Sequence, residues 1–139
     1  MTNEHPTIEL LEKDVFELDY DAEFDVVTCF GAFGHILQQD EVRFLAMIRR
    51  ALRPGGEFVF VTAERPPFYA PEAIVARTFN AVMHVRNAII KPPFHMYYLT
   101  FLMPEVERRL RWAGFDVTAK PAELPSPFDQ AVIVRAKRA

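Results

Sequence analysis

Apolar positions in this chain fall into short runs between charged and proline-rich stretches, and the best-ordered series of them lies between Phe24 and Val61. Val26 to Phe30 is an apolar, β-branched run bounded by Asp25 and Gly31, which predicts a parallel strand buried on both faces. Asp40 is placed to cap a helix in which Leu45, Ile48 and Leu52 share one face, while Arg43, Arg49, Arg50 and Arg53 fall largely elsewhere. Pro54, Gly55 and Gly56 end that helix, and Phe58 to Val61 reads as a second strand. Two such strands joined by a helix make a right-handed βαβ crossover.

Upstream, Thr7 to Leu11 has the composition of a strand ending near Asp14, and Asp19 to Glu23 is a polar connection. Downstream, Arg65 to Phe68 is a breaker loop, and Pro71 can open a helix that runs to about Ile90 with Val75, Phe79, Val82 and Ile89 along one face. Pro92 and Pro93 stop it, residues 95–101 form an aromatic connector, and another helix begins between Thr100 and Pro104. That helix carries Val106, Leu110 and Ala113 inward, exposes Glu105, Glu107, Arg108, Arg109 and Arg111, and closes on Gly114. Phe115 to Ala119 and Ala131 to Ala136 are the last strands, separated by the proline-rich loop Pro121 to Pro127. No internal repeat or low-complexity segment interrupts the series.

Composition narrows the reading. A chain of 139 residues, half of them hydrophobic, builds one core and one domain. The single cysteine, Cys29, lies in a predicted buried strand, which excludes a disulfide framework and fits a reducing compartment such as the cytoplasm. No signal peptide is read at the N-terminus. The most apolar long segment, Ala73 to Ile90, contains Arg77, His84 and Arg86, so no membrane span is expected. Residues 1–25 hold nine acidic side chains against Lys13, while the rest of the chain carries fifteen basic and ten acidic ones. An acidic N-terminal face repels a phosphate backbone, and no nucleic-acid partner is expected there.

Taken together, Asp14-Val15, then FDVVTCFGAFGHI, then a helix ending LRPGG before EFVFV, then a helix ending WAGFDV resemble the class I S-adenosylmethionine-dependent methyltransferases. The resemblance covers nearly the whole chain and implies an α/β fold: a truncated Rossmann-like sheet, mostly parallel with an antiparallel C-terminal strand. Residues 1–139 would form a single partial domain, with a helical substrate-side insertion at about 64–100. The implied activity is methyl transfer from S-adenosylmethionine to a small molecule. One departure matters. The family holds its cofactor on a glycine-rich turn after the first strand and an acidic residue after the second, and this sequence has neither. Losing several backbone hydrogen bonds at about 1 kcal/mol each lowers affinity by orders of magnitude.

The resemblance also implies roles for residues. Asp14 matches the position that accepts a hydrogen bond from the adenine amino group, beside the Val15 backbone. Cys29, Phe30 and Gly31 follow the central strand, where they would lie near the methionine part and the methyl group. His35 is the candidate base for an oxygen or nitrogen nucleophile, although methyl transfer from a sulfonium can proceed by alignment and water exclusion alone. The scattered histidines give no metal spacing. Other readings of the same residues are a noncatalytic remnant that acts as an interaction module through the helix Pro71 to Ile90, and a nicotinamide-binding Rossmann half. The missing dinucleotide fingerprint weighs against the last.

In the resembled fold the strand order is 3-2-1-4-5-7-6, so two strands are missing between Thr7 to Leu11 and Val26 to Phe30. At about 4.8 Å per ladder step, that leaves a gap of roughly 14 Å. The expectation is therefore that residues 7–11 close directly onto the central strand, or that two chains pair across its edge as a homodimer. An open edge with residues 7–11 detached would contradict both.

Overall fold

The computed structural model describes residues 7–64, 69–90, 100–125 and 129–139. Its framework is a four-stranded sheet formed by β1 (Phe24–Cys29), β2 (Leu52–Ala63), β3 (Phe115–Pro121) and β4 (Ala131–Arg138), in the order β1-β2-β4-β3. β1 runs parallel to β2, and β4 lies antiparallel to both β2 and β3. Three strands thus share one direction and only the C-terminal strand reverses, as the resemblance implies.

The first helix, α1 (Glu41–Ala51), makes the crossover from β1 to β2. Asp40 occupies its N-cap position with helical backbone angles, and its side chain makes no capping bond. The expected cap therefore fails for lack of the extended conformation that aims a capping oxygen at the first turn. After α1 the Arg53-Pro54-Gly55-Gly56 segment bulges out of register between the pairs Phe24 with Leu52 and Val26 with Glu57. Gly56 is forced there, because a Cβ would sit 3.0 Å from the carbonyl oxygens of Asp25 and Arg53.

Side-chain alternation assigns the faces. Val27 and Cys29 of β1 pair with Phe58 and Phe60, so these four point to the side that α1 and α3 (Glu105–Trp112) cover. Phe58, Phe60, Leu45, Leu52, Leu110 and Val134 are fully buried in this core. Phe33 stacks on Phe101 with ring centroids 4.3 Å apart, and Phe44 meets both edge-on. Each buried aromatic or aliphatic side chain stabilises the fold by about 1.5–3 kcal/mol. One charged pair is built into the same layer: Glu41 is buried and bonded to Arg109 of α3, tying the two helices.

Three further expectations fail. The β1 strand is not buried on both faces: Val26 is 54% exposed, because the strand is an outer edge of the sheet. Residues 7–11 do not pair with it; they form no strand and are exposed, with Leu10 91% exposed. Direct closure of residues 7–11 onto the central strand is therefore not found, and β1 is an outer edge of the sheet in the single chain. The third concerns α2 (Pro71–Ile90), whose bounds match the expected helix but whose predicted inward face does not. Val75, Val82 and Ile89 are exposed, and the buried residues are Ala73 and Asn87. Residues 65–68, most of the aromatic connector and residues 126–128 lie outside the described residues.

Candidate functional site

The carboxyl end of β1 is where an open α/β sheet presents loops to a ligand. Cys29 closes the strand, and burial pushes its thiol above the ordinary range, with the Ala32 backbone hydrogen bond pulling the other way. The thiol is therefore protonated at neutral pH, an apolar wall rather than a nucleophile. Phe30 follows, 61% exposed, and then Gly31 at φ +72° with nothing within 4 Å of where a Cβ would stand. The loop is anchored from behind by Phe33, which is buried and whose carbonyl accepts from the Thr100 hydroxyl at 3.0 Å. His35 ends the 3-10 turn Phe33–His35 on the exposed side of this anchor.

The N-terminal half of the site is held by a second 3-10 turn, Val15–Glu17. Asp14 caps it: one carboxylate oxygen accepts from the Phe16 N–H at 2.9 Å, and the second takes no part in that bond. Phe16 lies edge-on to Phe44, and the Arg43 guanidinium sits 4.7 Å above its ring, so the turn is fixed to α1.

Between this turn, β1 and α1 lies a trough of about 360 Å³. Val15, Leu18 and Tyr20 form one wall, Phe24 and Val26 to Cys29 the second, and Phe44, Met47, Ile48 and Ala51 the floor, with Ala32 and Ile36 at the end. The trough thus brings Val15 and Cys29 together; Asp14, Phe30, Gly31 and His35 are not part of its lining. Sequence reasoning missed Leu18, Tyr20 and Met47, whose only signal was an apolar spacing shared with ordinary core residues. Among the described residues no group of His, Cys, Asp or Glu could hold a metal ion. No helix among them is long and apolar enough to cross a membrane.

A family model described as a methyltransferase domain matches residues 1–60. Among solved structures, the chain is similar to the 1,6-didemethyltoxoflavin-N1-methyltransferase of Burkholderia thailandensis, seen with 1,6-didemethyltoxoflavin and S-adenosylhomocysteine bound. The identity is 22% and the TM-score 0.62, over 93% of this chain and 50% of that one. The chain folds as a class I methyltransferase-like domain. It is also similar to an O-methyltransferase family protein from Burkholderia thailandensis, with 17% identity and a TM-score of 0.60 over 94% of this chain and 36% of that one. For the magnesium protoporphyrin IX methyltransferase of Synechocystis, with S-adenosylhomocysteine bound, the values are 13% and 0.56, over 91% and 49%. This methyltransferase-like domain therefore spans half or less of each of those chains. No match is found among curated proteins.

The fit of S-adenosylmethionine to the residues present is uneven. Asp14 and the apolar trough suit an adenine amine and a flat ring, whereas no charged side chain lines the trough to meet the methionine carboxylate or ammonium. These residues do not by themselves complete a cofactor site.

Proposed function

We propose that this domain serves methyl transfer from S-adenosylmethionine to a small-molecule acceptor, as the part of the catalytic fold that follows the glycine-rich turn. The observation that carries the reading is the sheet order β1-β2-β4-β3, with β4 alone reversed, together with likeness to structures that hold S-adenosylhomocysteine. On this reading Asp14 and Val15 meet the adenine, while Cys29, Phe30 and Gly31 form the wall nearest the methyl group. The open space at Gly31 supports close approach of a ligand to the backbone. His35 is the candidate for taking a proton from the acceptor. The free thiol of Cys29 supports a reducing compartment, and we assign the cytoplasm.

Calorimetry tests the reading in two steps. The isolated chain is expected to bind S-adenosylmethionine with a dissociation constant on the order of 1 mM, or without detectable heat. Low-micromolar binding by the monomer would contradict the incomplete site. A chain completed by a strand and a glycine-rich turn is then expected to reach micromolar affinity. A completed, folded domain that still ignores the cofactor would overturn methyl transfer. It would favour the noncatalytic interaction module, which the apolar exposure of Ile74, Val82 and Ile89 on α2 supports.

A further inference from the structure

Residues 100–103 lead into α3 and fasten to the carboxyl ends of two strands at once. The Met103 N–H donates to the Ala63 carbonyl at 3.1 Å, and Met103 forms a parallel bridge with Glu64, so this segment runs beside the end of β2. The Thr62 hydroxyl of β2 donates to the Phe101 carbonyl. On the β1 side, the Thr100 hydroxyl donates to the Phe33 carbonyl at 3.0 Å, and the Phe101 ring stacks on the Phe33 ring. Phe33 lies in the loop that carries Phe30, Gly31 and His35.

A hydrophobic core needs the Phe101 ring but not its backbone angle. Phe101 stands at φ +53°, in the left-handed region that bulky residues avoid. Such a backbone costs conformational energy and persists only where its surroundings over-determine it. Here they do. The ring is 2% exposed among Phe33, Phe44 and Phe60, and both threonine hydroxyls end on main-chain carbonyls, so they fix backbone rather than side chains. The loop has local bonds of its own, from the His35 N–H to the Ala32 carbonyl at 3.0 Å and from the Ile36 N–H to the Phe33 carbonyl at 3.1 Å. Those shape its turn. They do not set where the turn sits relative to β2, whereas the contacts of Thr100 and Phe101 with Phe33 do.

We propose that Thr100 and Phe101 are positioning residues, which act through Phe33 to set where residues 30–35 stand at the carboxyl end of β1. What the loop does there rests on the methyl-transfer reading, in which Phe30 and Gly31 form the wall nearest the methyl group and His35 takes the acceptor's proton. On that reading residues 64–100 are the acceptor-side insertion, so the wall beside the methyl group is placed from the acceptor side. A change at residue 100 or 101 then alters the site without touching a ligand.

Amide exchange on the full chain, followed by NMR, tests this placement without a cofactor. Thr100→Val keeps the branched shape and removes the hydroxyl. The amides of residues 32–36 are expected to exchange about tenfold or more faster, relative to those of residues 115–121. Thr100→Ser, which keeps the hydroxyl, is expected to restore the slow rates. Leu110→Ala removes a fully buried side chain of α3 and is the control for lost packing: it should lower the urea midpoint without singling out residues 32–36. Thr62→Val releases the Phe101 carbonyl, is expected to speed the same amides, and gives a second route should Thr100→Val fail to fold. The proposal is overturned if the serine variant exchanges as fast as the valine variant, or if Leu110→Ala speeds residues 32–36 as much as Thr100→Val does. It is equally overturned if neither hydroxyl variant moves them. No ligand enters the measurement, so failure of the methyl-transfer reading in calorimetry and failure of the positioning contacts are distinguishable.

Discussion

At one edge of the sheet, β3 ends in Lys120-Pro121, turns Asp116 and Thr118 to solvent, and has its Val117 carbonyl bonded to Arg111 of α3 at 3.2 Å. At the other, β1 shows Phe24 and Val26 to solvent. The sheet face away from the helices differs in the same way: near β3 and β4 it is polar and self-satisfied, with Arg135 bidentate to Glu57 at 2.7 to 3.0 Å. The β3 edge has features that stop a sheet, and the β1 edge has an apolar, β-branched run without them. What separates them is a terminal proline and an occupied carbonyl, present on β3 and lacking on β1.

The largest effect that can break this comparison lies under the β3 edge. Leu110→Ala, which removes a fully buried side chain of α3, is expected to cost about 2–5 kcal/mol in urea unfolding. The same truncation at Val26 is expected to stay within about 0.5 kcal/mol. Equal losses would mean that β1 is packed in solution.

A smaller effect sharpens the role of the N-terminal turn. In a domain completed across the β1 edge, Asp14→Ala should weaken S-adenosylmethionine by about 1–3 kcal/mol in calorimetry, through a lost charge-assisted bond. Unchanged affinity with a loss of stability would leave Asp14 as the cap of residues 15–17 and nothing more.

The smallest effect is colloidal. Val26→Lys should reduce self-association in light scattering, and Asp116→Val should increase it. Both should leave the free energy of unfolding within about 0.5 kcal/mol of the parent chain. A reversed pair of outcomes would exchange the roles of the two edges.

Local pattern made most of the framework legible. The period of Leu45 and Ile48, the breaker Pro54-Gly55-Gly56 and the stop at Gly114 located α1, β2 and α3, and the alternation in residues 131–136 located β4. The burial of β1 was not legible, because an apolar β-branched run has the same composition whether one of its edges is paired or both are. The inward face of α2 was misread for a related reason: Ile74, Val85 and Ile90 are apolar as well as Val75, Val82 and Ile89, so periodicity selects no single face. The Glu41 to Arg109 pair joins residues far apart in sequence, and Arg109, read as exposed, gave no hint of it. Of the candidate site, Val15 and Cys29 do share one trough, while Asp14 has a capping role that its match to an adenine contact did not anticipate.

The place of β4 bears on how the molecule is made. Its residues, 131–138, insert between β2 and β3, so β3 has no partner, and β2 none on its inner edge, until the ribosome has released this segment. Before that moment the nascent chain can hold only the β1–β2 crossover, with the inner edge of β2 bare as well as the outer edge of β1. Sheet closure is then a long-range event that waits for residues 131–138, and the interval in which two apolar edges are exposed is the interval in which a chaperone would meet this chain.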